Sequence, residues 1–321
     1  MSVRHSWWRL LLATLAFVLW AHPSLVGLPC AALLLIGPAN APSDRPGAGG
    51  PSIPLAAMIG ILSVALLWLT AAGGGRLAAV LSAYIVLVTA AFASLVLLRP
   101  EPILKRALRS ILLGGLATAL LIQIVWGTDG WSAIGWEVTR EASNTMRWVI
   151  EVSPPAWIDA MYALYEPMVR FVSLTWPGML ALQTLAGLAI AWQLHLRLTS
   201  LPLGAPLARF KDFAIGDGWV WGIVAWIVVL ILPVSSALQV AGANLGLIAG
   251  ALYVLRGAAI VMTFAEAFGV SSVMLVIFAA AAAALAVPLL FVLPGLCTLG
   301  ITDTWYQYRR RLADAQHNPR K

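Results

Sequence analysis

Charge is what this sequence has least of. Only 10% of its 321 residues are Asp, Glu, Lys or Arg, where a soluble domain carries roughly 25%. So little polar surface cannot coat a water-soluble globule, and a disordered chain would need low hydrophobicity together with high charge. Cysteine is nearly absent as well. Cys30 and Cys297 both lie inside apolar runs without metal-ligand or redox spacing, so each reads as a small buried hydrophobe. The four histidines, His5, His22, His195 and His317, are scattered. With no HExxH, paired-cysteine or clustered-carboxylate pattern, no metal site and no cofactor are expected. There is no GxSxG elbow, and Ser271-Ser272 has no nearby base. Gly73-Gly74-Gly75-Arg76 lacks the Lys and Ser/Thr of a phosphate-binding loop, and reads as a tight turn between helices. The expectation is therefore a protein that is not an enzyme.

What the chain does have is apolar surface. Hydrophobic residues make up 61% of it and the mean hydropathy is +0.90. That composition predicts an all-α, polytopic transmembrane helical bundle. The net charge of +7 comes from 20 Lys and Arg against 13 Asp and Glu. These basic residues sit in short segments between apolar runs, where they set orientation rather than bind nucleic acid.

The chain opens with Arg4, His5 and Arg9 and an apolar stretch from Leu10 to Trp20, the first two parts of a signal peptide. Ala39-Asn40-Ala41 even resembles a cleavage site. The apolar stretch continues to Gly37, too far for such a leader, so a retained segment is expected, with Trp7 and Trp8 at headgroup level. Residues 8–37, interrupted by Pro23 and Pro29, read as one kinked helix or a short hairpin. Residues 38–54 are a Pro/Gly-rich loop. Further apolar runs cover 55–72, 78–98, 110–126, 171–195, 219–234, 243–267 and 273–297, giving about eight or nine membrane segments.

Arg99, Lys105, Arg106 and Arg109 mark one cytoplasmic segment, and Arg197, Arg209 and Lys211 another. Residues 127–170 carry six acids and three arginines, which suits the opposite side. Counting crossings forward puts the C-terminus outside, whereas Arg309-Arg310-Arg311, Arg320 and Lys321 in the basic tail of 302–321 ask for the cytoplasm. Either one late segment is re-entrant or the tail breaks the rule.

The 127–170 stretch reads as an amphipathic extracytoplasmic insert. Over 137–152, Glu137, Arg140, Glu141, Asn144, Arg147, Trp148 and Glu151 share one helical face, and Val138, Ala142, Met146, Val149, Ile150 and Val152 the other. Pro154-Pro155 ends that helix, and 156–170 follows with Trp157, Tyr162 and Tyr165. The pattern fits an interfacial helix on the bilayer, and the alternative is a lid or docking face over a cavity.

Ionisable groups at membrane depth cost about 2.5–3.5 kcal/mol on insertion scales, so each needs a reason. Arg256 lies near the middle of 243–267, Glu266 near one end, and Asn244 begins it. Gly242, Gly246 and Gly250 form two overlapping GxxxG steps, which invite close helix approach. Arg256, Asn244 and Tyr253 are the candidate polar site, either for an anionic ligand or for a structural hydrogen-bond network. Gln123, Gln183 and His195 read as packing or boundary residues. Asp303 is positioned to cap a terminal helix. Asp303 itself, Trp305, Arg309, Arg310 and Arg311, with Arg209 and Lys211 of the earlier basic segment, are the candidate membrane-surface or partner contacts.

Three stretches carry a resemblance. They are Ala208-Arg209-Phe210-Lys211-Asp212-Phe213 with Trp219-Val220-Trp221, Asn244 through Leu252-Tyr253-Val254-Leu255-Arg256-Gly257, and Leu299-Gly300-Ile301-Thr302-Asp303-Thr304-Trp305 with Tyr308-Arg309-Arg310-Arg311. In order and spacing they resemble the YybS-like family of bacterial membrane proteins. The resemblance implies a multi-pass protein of the bacterial cytoplasmic (inner) membrane and carries over no activity and no catalytic residues. The expected function is thus non-catalytic, exercised with a protein partner or in envelope organisation. The alternative is the substrate-binding membrane subunit of a small-molecule uptake transporter, whose partner would be an energising module.

Overall fold

The computed structural model describes residues 75–98, 102–198, 206–233, 235–271, 273, 274, 277, 280, 281 and 289–317. The expected segments at 8–37 and 55–72 and the loop at 38–54 lie outside them. Every regular element among the described residues is helical. The helices are α1 (Arg76–Leu98), α2 (Ile103–Val152), α3 (Ile158–Leu198), α4 (Val220–Ile231), α5 (Ser236–Ala267), α6 (Leu289–Tyr306) and α7 (Tyr308–His317). Four of them, α1, α2, α3 and α5, contain stretches long and apolar enough to cross a membrane, and α4 belongs to a shorter apolar helix.

The chain divides into two compact units, the first built from α1, α2 and α3 without Pro177–Met179, the second from those three residues and everything from Ala208 on. In the first unit α1 is apolar throughout, and Tyr84, Ile85, Val88, Phe92 and Val96 pack with Ala107, Leu188, Ala191 and Trp192. His195 is fully buried with its ring 5.6 Å from that of Trp192, a packing position. Three buried hydroxyls here are satisfied by their own helices. Ser110, Thr118 and Thr184 each donate to the carbonyl four residues back, at 2.6–2.7 Å, the local solution available where no water reaches.

The expected boundary at residue 127 falls on a sharp kink, but the chain beyond it is not a loop. Gly127 has φ 63° and ψ −151°, a conformation open to glycine, and helix resumes at once and continues to Val152. Helix therefore begins some ten residues before the predicted 137. Ser153 is extended, with ψ 146°, because the following proline disfavours the helical region for its predecessor. Residues 158–170 are continuous with the next apolar run in α3 rather than a separate piece.

The predicted two-faced pattern over 137–152 holds with two exceptions. Val138, Met146 and Ile150 are buried, whereas Arg140, Glu141, Asn144, Arg147, Trp148 and Glu151 are exposed. Val152 is exposed because it lies at the frayed end. Glu137 is half-buried because its carboxylate accepts the backbone N–H groups of Arg76 (3.2 Å) and Leu77 (2.8 Å). Those are among the free donors that start α1, and a negative group there also meets the positive end of the helix dipole. Just beyond the kink, Ile134 and Val138 pack with Val80 and Ile122. The first part of the insert is thereby tied to the start of α1.

In the second unit α4 and α5 form an antiparallel hairpin. The turn follows from Pro233, which leaves Leu232 extended at ψ 143°. Two of the three glycines in the predicted GxxxG steps are used in it. A Cβ at Gly242 would lie 2.6 Å from Val229, and one at Gly246 would overlap Trp226, whereas Gly250 faces open space. A second close crossing, unforeseen in the GxxxG reading, joins α5 to α6. A Cβ at Gly257 would collide with the Leu296 carbonyl, and one at Gly300 with the Tyr253 carbonyl. The order of these contacts makes α6 antiparallel to α5. Its last turn stops half-way along α5, close to where α4 begins.

Candidate functional site

That meeting point is polar. Arg256 projects from the middle of α5 with its side chain only 7% exposed. Its Nε donates to Asp303 Oδ2 at 3.0 Å, and its Nη2 lies 3.0 Å from the same oxygen. Asp303, near the end of α6, has a side chain only 4% exposed. Nη1 makes longer, weaker contacts with Asp217 (3.4 Å), the Thr304 hydroxyl (3.4 Å) and the Ile215 carbonyl (3.5 Å). Asp217 is open to solvent, so its share of the pairing is screened.

Asp303 is the hub. Beyond Arg256 it meets Arg309 Nη2 at 3.6 Å, and its Oδ1 accepts the Tyr308 backbone N–H at 2.9 Å. The expected capping role is therefore present in an unusual form. The capping carboxylate comes from within α6, five residues before the N–H it accepts, across a reversal at Gln307. Gln307 itself sits at φ 48°, the left-handed region that costs a non-glycine residue about 1–2 kcal/mol. Arg309 Nη1 then donates to the carbonyls of Lys211 (2.9 Å) and Phe213 (3.0 Å). Lys211 Nζ in turn pairs with Glu266 at 2.8 Å near the end of α5. Three cations (Arg256, Arg309, Lys211) thus face three carboxylates (Asp303, Asp217, Glu266) in one electroneutral network that joins the 208–219 segment, α5, α6 and α7.

The predicted residues divide accordingly. Arg256, Asp303, Arg309 and Lys211, read separately as a ligand site and a surface patch, come together. Tyr253 lies one turn before Arg256 and is fully buried, its hydroxyl beside Thr304 without reaching hydrogen-bond geometry. Asn244 is elsewhere. Twelve residues along one helix place it about 18 Å from Arg256. Its Oδ1 accepts the Gly178 N–H at 2.6 Å and its Nδ2 donates to the Val240 carbonyl at 2.7 Å. Gly178 follows Pro177, and a proline disturbs the helical ladder about it, so Asn244 satisfies a backbone donor at apolar depth. Arg209, Trp305, Arg310 and Arg311 are exposed. Asp217 and Glu266 are the partners that sequence reasoning did not assign. The available signal was charge balance, since a buried arginine demands an acid, and few acids adjoin these apolar runs.

With this geometry in view, the chain belongs to the family of predicted membrane proteins designated DUF2232, whose profile matches residues 52–304. The matched region includes Lys211, Arg256 and Asp303 and stops before α7. No curated protein and no solved structure matches the chain.

Proposed function

We propose that this member of the family is a non-catalytic, multi-pass protein of the bacterial cytoplasmic membrane that acts through a protein partner or in envelope organisation. One observation carries the reading. The ionised groups buried in the second unit are spent on one another: the donors of Arg256 are directed at Asp303, Asp217, Thr304 and a backbone carbonyl. An arginine so engaged holds helices together. A transport subunit using Arg256 for an anionic substrate would first have to break the 3.0 Å contacts to Asp303, leaving a buried carboxylate uncompensated.

Purification of the full chain from native membranes in mild detergent tests it. A stoichiometric envelope-assembly protein that follows the wild type is the expected result. A stoichiometric ATPase, together with saturable uptake of a small molecule, would select the transporter reading instead.

A further inference from the structure

Around the neutral network lies a rim of different character. Trp305 is 63% exposed, Tyr306 51% and Phe210 43%, and Arg209, Arg310 and Arg311 are exposed beside them in the chain. Three ring contacts run along it. The Arg311 guanidinium stands 5.7 Å over the Tyr306 ring, Tyr306 stacks on Tyr308 at 5.7 Å, and Phe210 stacks on Phe213 at 6.4 Å. Arg309, bonded to the carbonyls of Lys211 and Phe213, clamps α7 to the 208–213 segment. The rim is therefore held on a fixed frame rather than on a free tail.

We propose that this rim is a docking surface for anionic phospholipid headgroups. Aromatic rings with a polar edge favour the glycerol and carbonyl level of a bilayer, and guanidinium groups favour phosphate, which they contact through paired N–H donors. Both residue types are exposed on the two segments that Arg309 holds together, so one surface offers the two kinds of contact that a lipid interface takes. Charge sets the class. The network below is neutral, so the rim's field comes from Arg209, Arg310 and Arg311 against the exposed acids Asp212 and Asp314. The excess is positive and small, so the preference for anionic over zwitterionic lipid is finite and salt-sensitive. This inference concerns the lipid and does not rest on the partner proposed above.

The test uses full-length protein, delipidated in mild detergent and offered equal phosphatidylglycerol and phosphatidylcholine in mixed micelles. Retained lipid is read by mass spectrometry. Wild type retains phosphatidylglycerol preferentially, and the preference falls as salt is raised. Arg310→Gln and Arg311→Gln each lower it about fivefold, the factor expected for one basic residue near the surface. Asp314→Asn raises it. Trp305→Ala lowers retention of both lipids. All four residues are exposed, and an unchanged melting temperature in lipid-free detergent shows that the variants fold. Equal retention of the two lipids by wild type overturns the proposal. So does a triple Arg209/Arg310/Arg311→Gln variant that keeps the preference. If that triple variant keeps the lipid preference yet loses a protein that accompanies wild type, the rim is a protein-docking face instead.

Discussion

At the scale of single residues, the decisive comparison is between arginines that look alike in the sequence. Arg256 and Arg310 differ in burial and partners. Arg256 is in a 3.0 Å pair with a buried carboxylate, while Arg310 is exposed. Replacing one member of a buried pair strands the other, at about 3–5 kcal/mol. Arg256→Leu is thus expected to lower stability by that amount in a detergent melting assay, and Arg310→Leu by less than about 0.5 kcal/mol. The double change of Arg256 and Asp303 to Leu should recover part of the loss, because no charge is left alone, although Tyr308 then loses its cap. Equal and small effects of the two single arginine changes would refute the structural role of the pair. Arg256 was singled out from sequence because a charge inside an apolar run needs an explanation. Its partner was not, since Asp303 reads locally as a cap, and the two stand 47 residues apart.

At the scale of elements, boundaries were legible wherever a local breaker acts. Pro154-Pro155 ends α2 where expected, Pro233 follows the end of α4, and the predicted boundary at 127 falls on the kink glycine. The helical state of 128–136 was not legible, because its Gly130 and Gly135 and its mixed polarity resemble a loop. Packing of Ile134 and Val138 on Val80 supplies the stabilisation that propensity lacks. The α5–α6 crossing was missed for a related reason. Gly257 and Gly300 lie on different helices, so no spacing rule links them, whereas Gly242 and Gly246 advertise themselves. Backbone-to-backbone approach at Gly257 and Gly300 has no room for a side chain. Gly257→Leu and Gly300→Leu should each force the helices apart and cost about 1–3 kcal/mol or more. Gly250→Leu, facing open space, should be tolerated in the same melting assay. A stable Gly257→Leu variant would disprove this crossing.

For the whole molecule, the orientation conflict posed by the basic tail narrows. Arg309 is bonded to the 211–213 backbone, so the start of α7 and the 208–219 segment share one side. Gly216 and Asp314 are both exposed. With Cys30 and Cys297 replaced by Ala, single cysteines at these two positions are expected to react with a membrane-impermeant maleimide from the same side. Labelling from opposite sides would contradict the Arg309 contacts.

The network also has a consequence in time. Asp303 is synthesised 47 residues after Arg256, a gap of about 2–9 s at ordinary elongation rates of 5–20 residues per second. Until then Arg256 has no Asp303 to receive it, only the weaker contact to Asp217. A nascent chain halted before residue 303 therefore displays an uncompensated cation among apolar helices. The finished chain conceals it. A chain that lacks residue 303 therefore carries the penalty of a buried, unpaired charge that the finished chain does not.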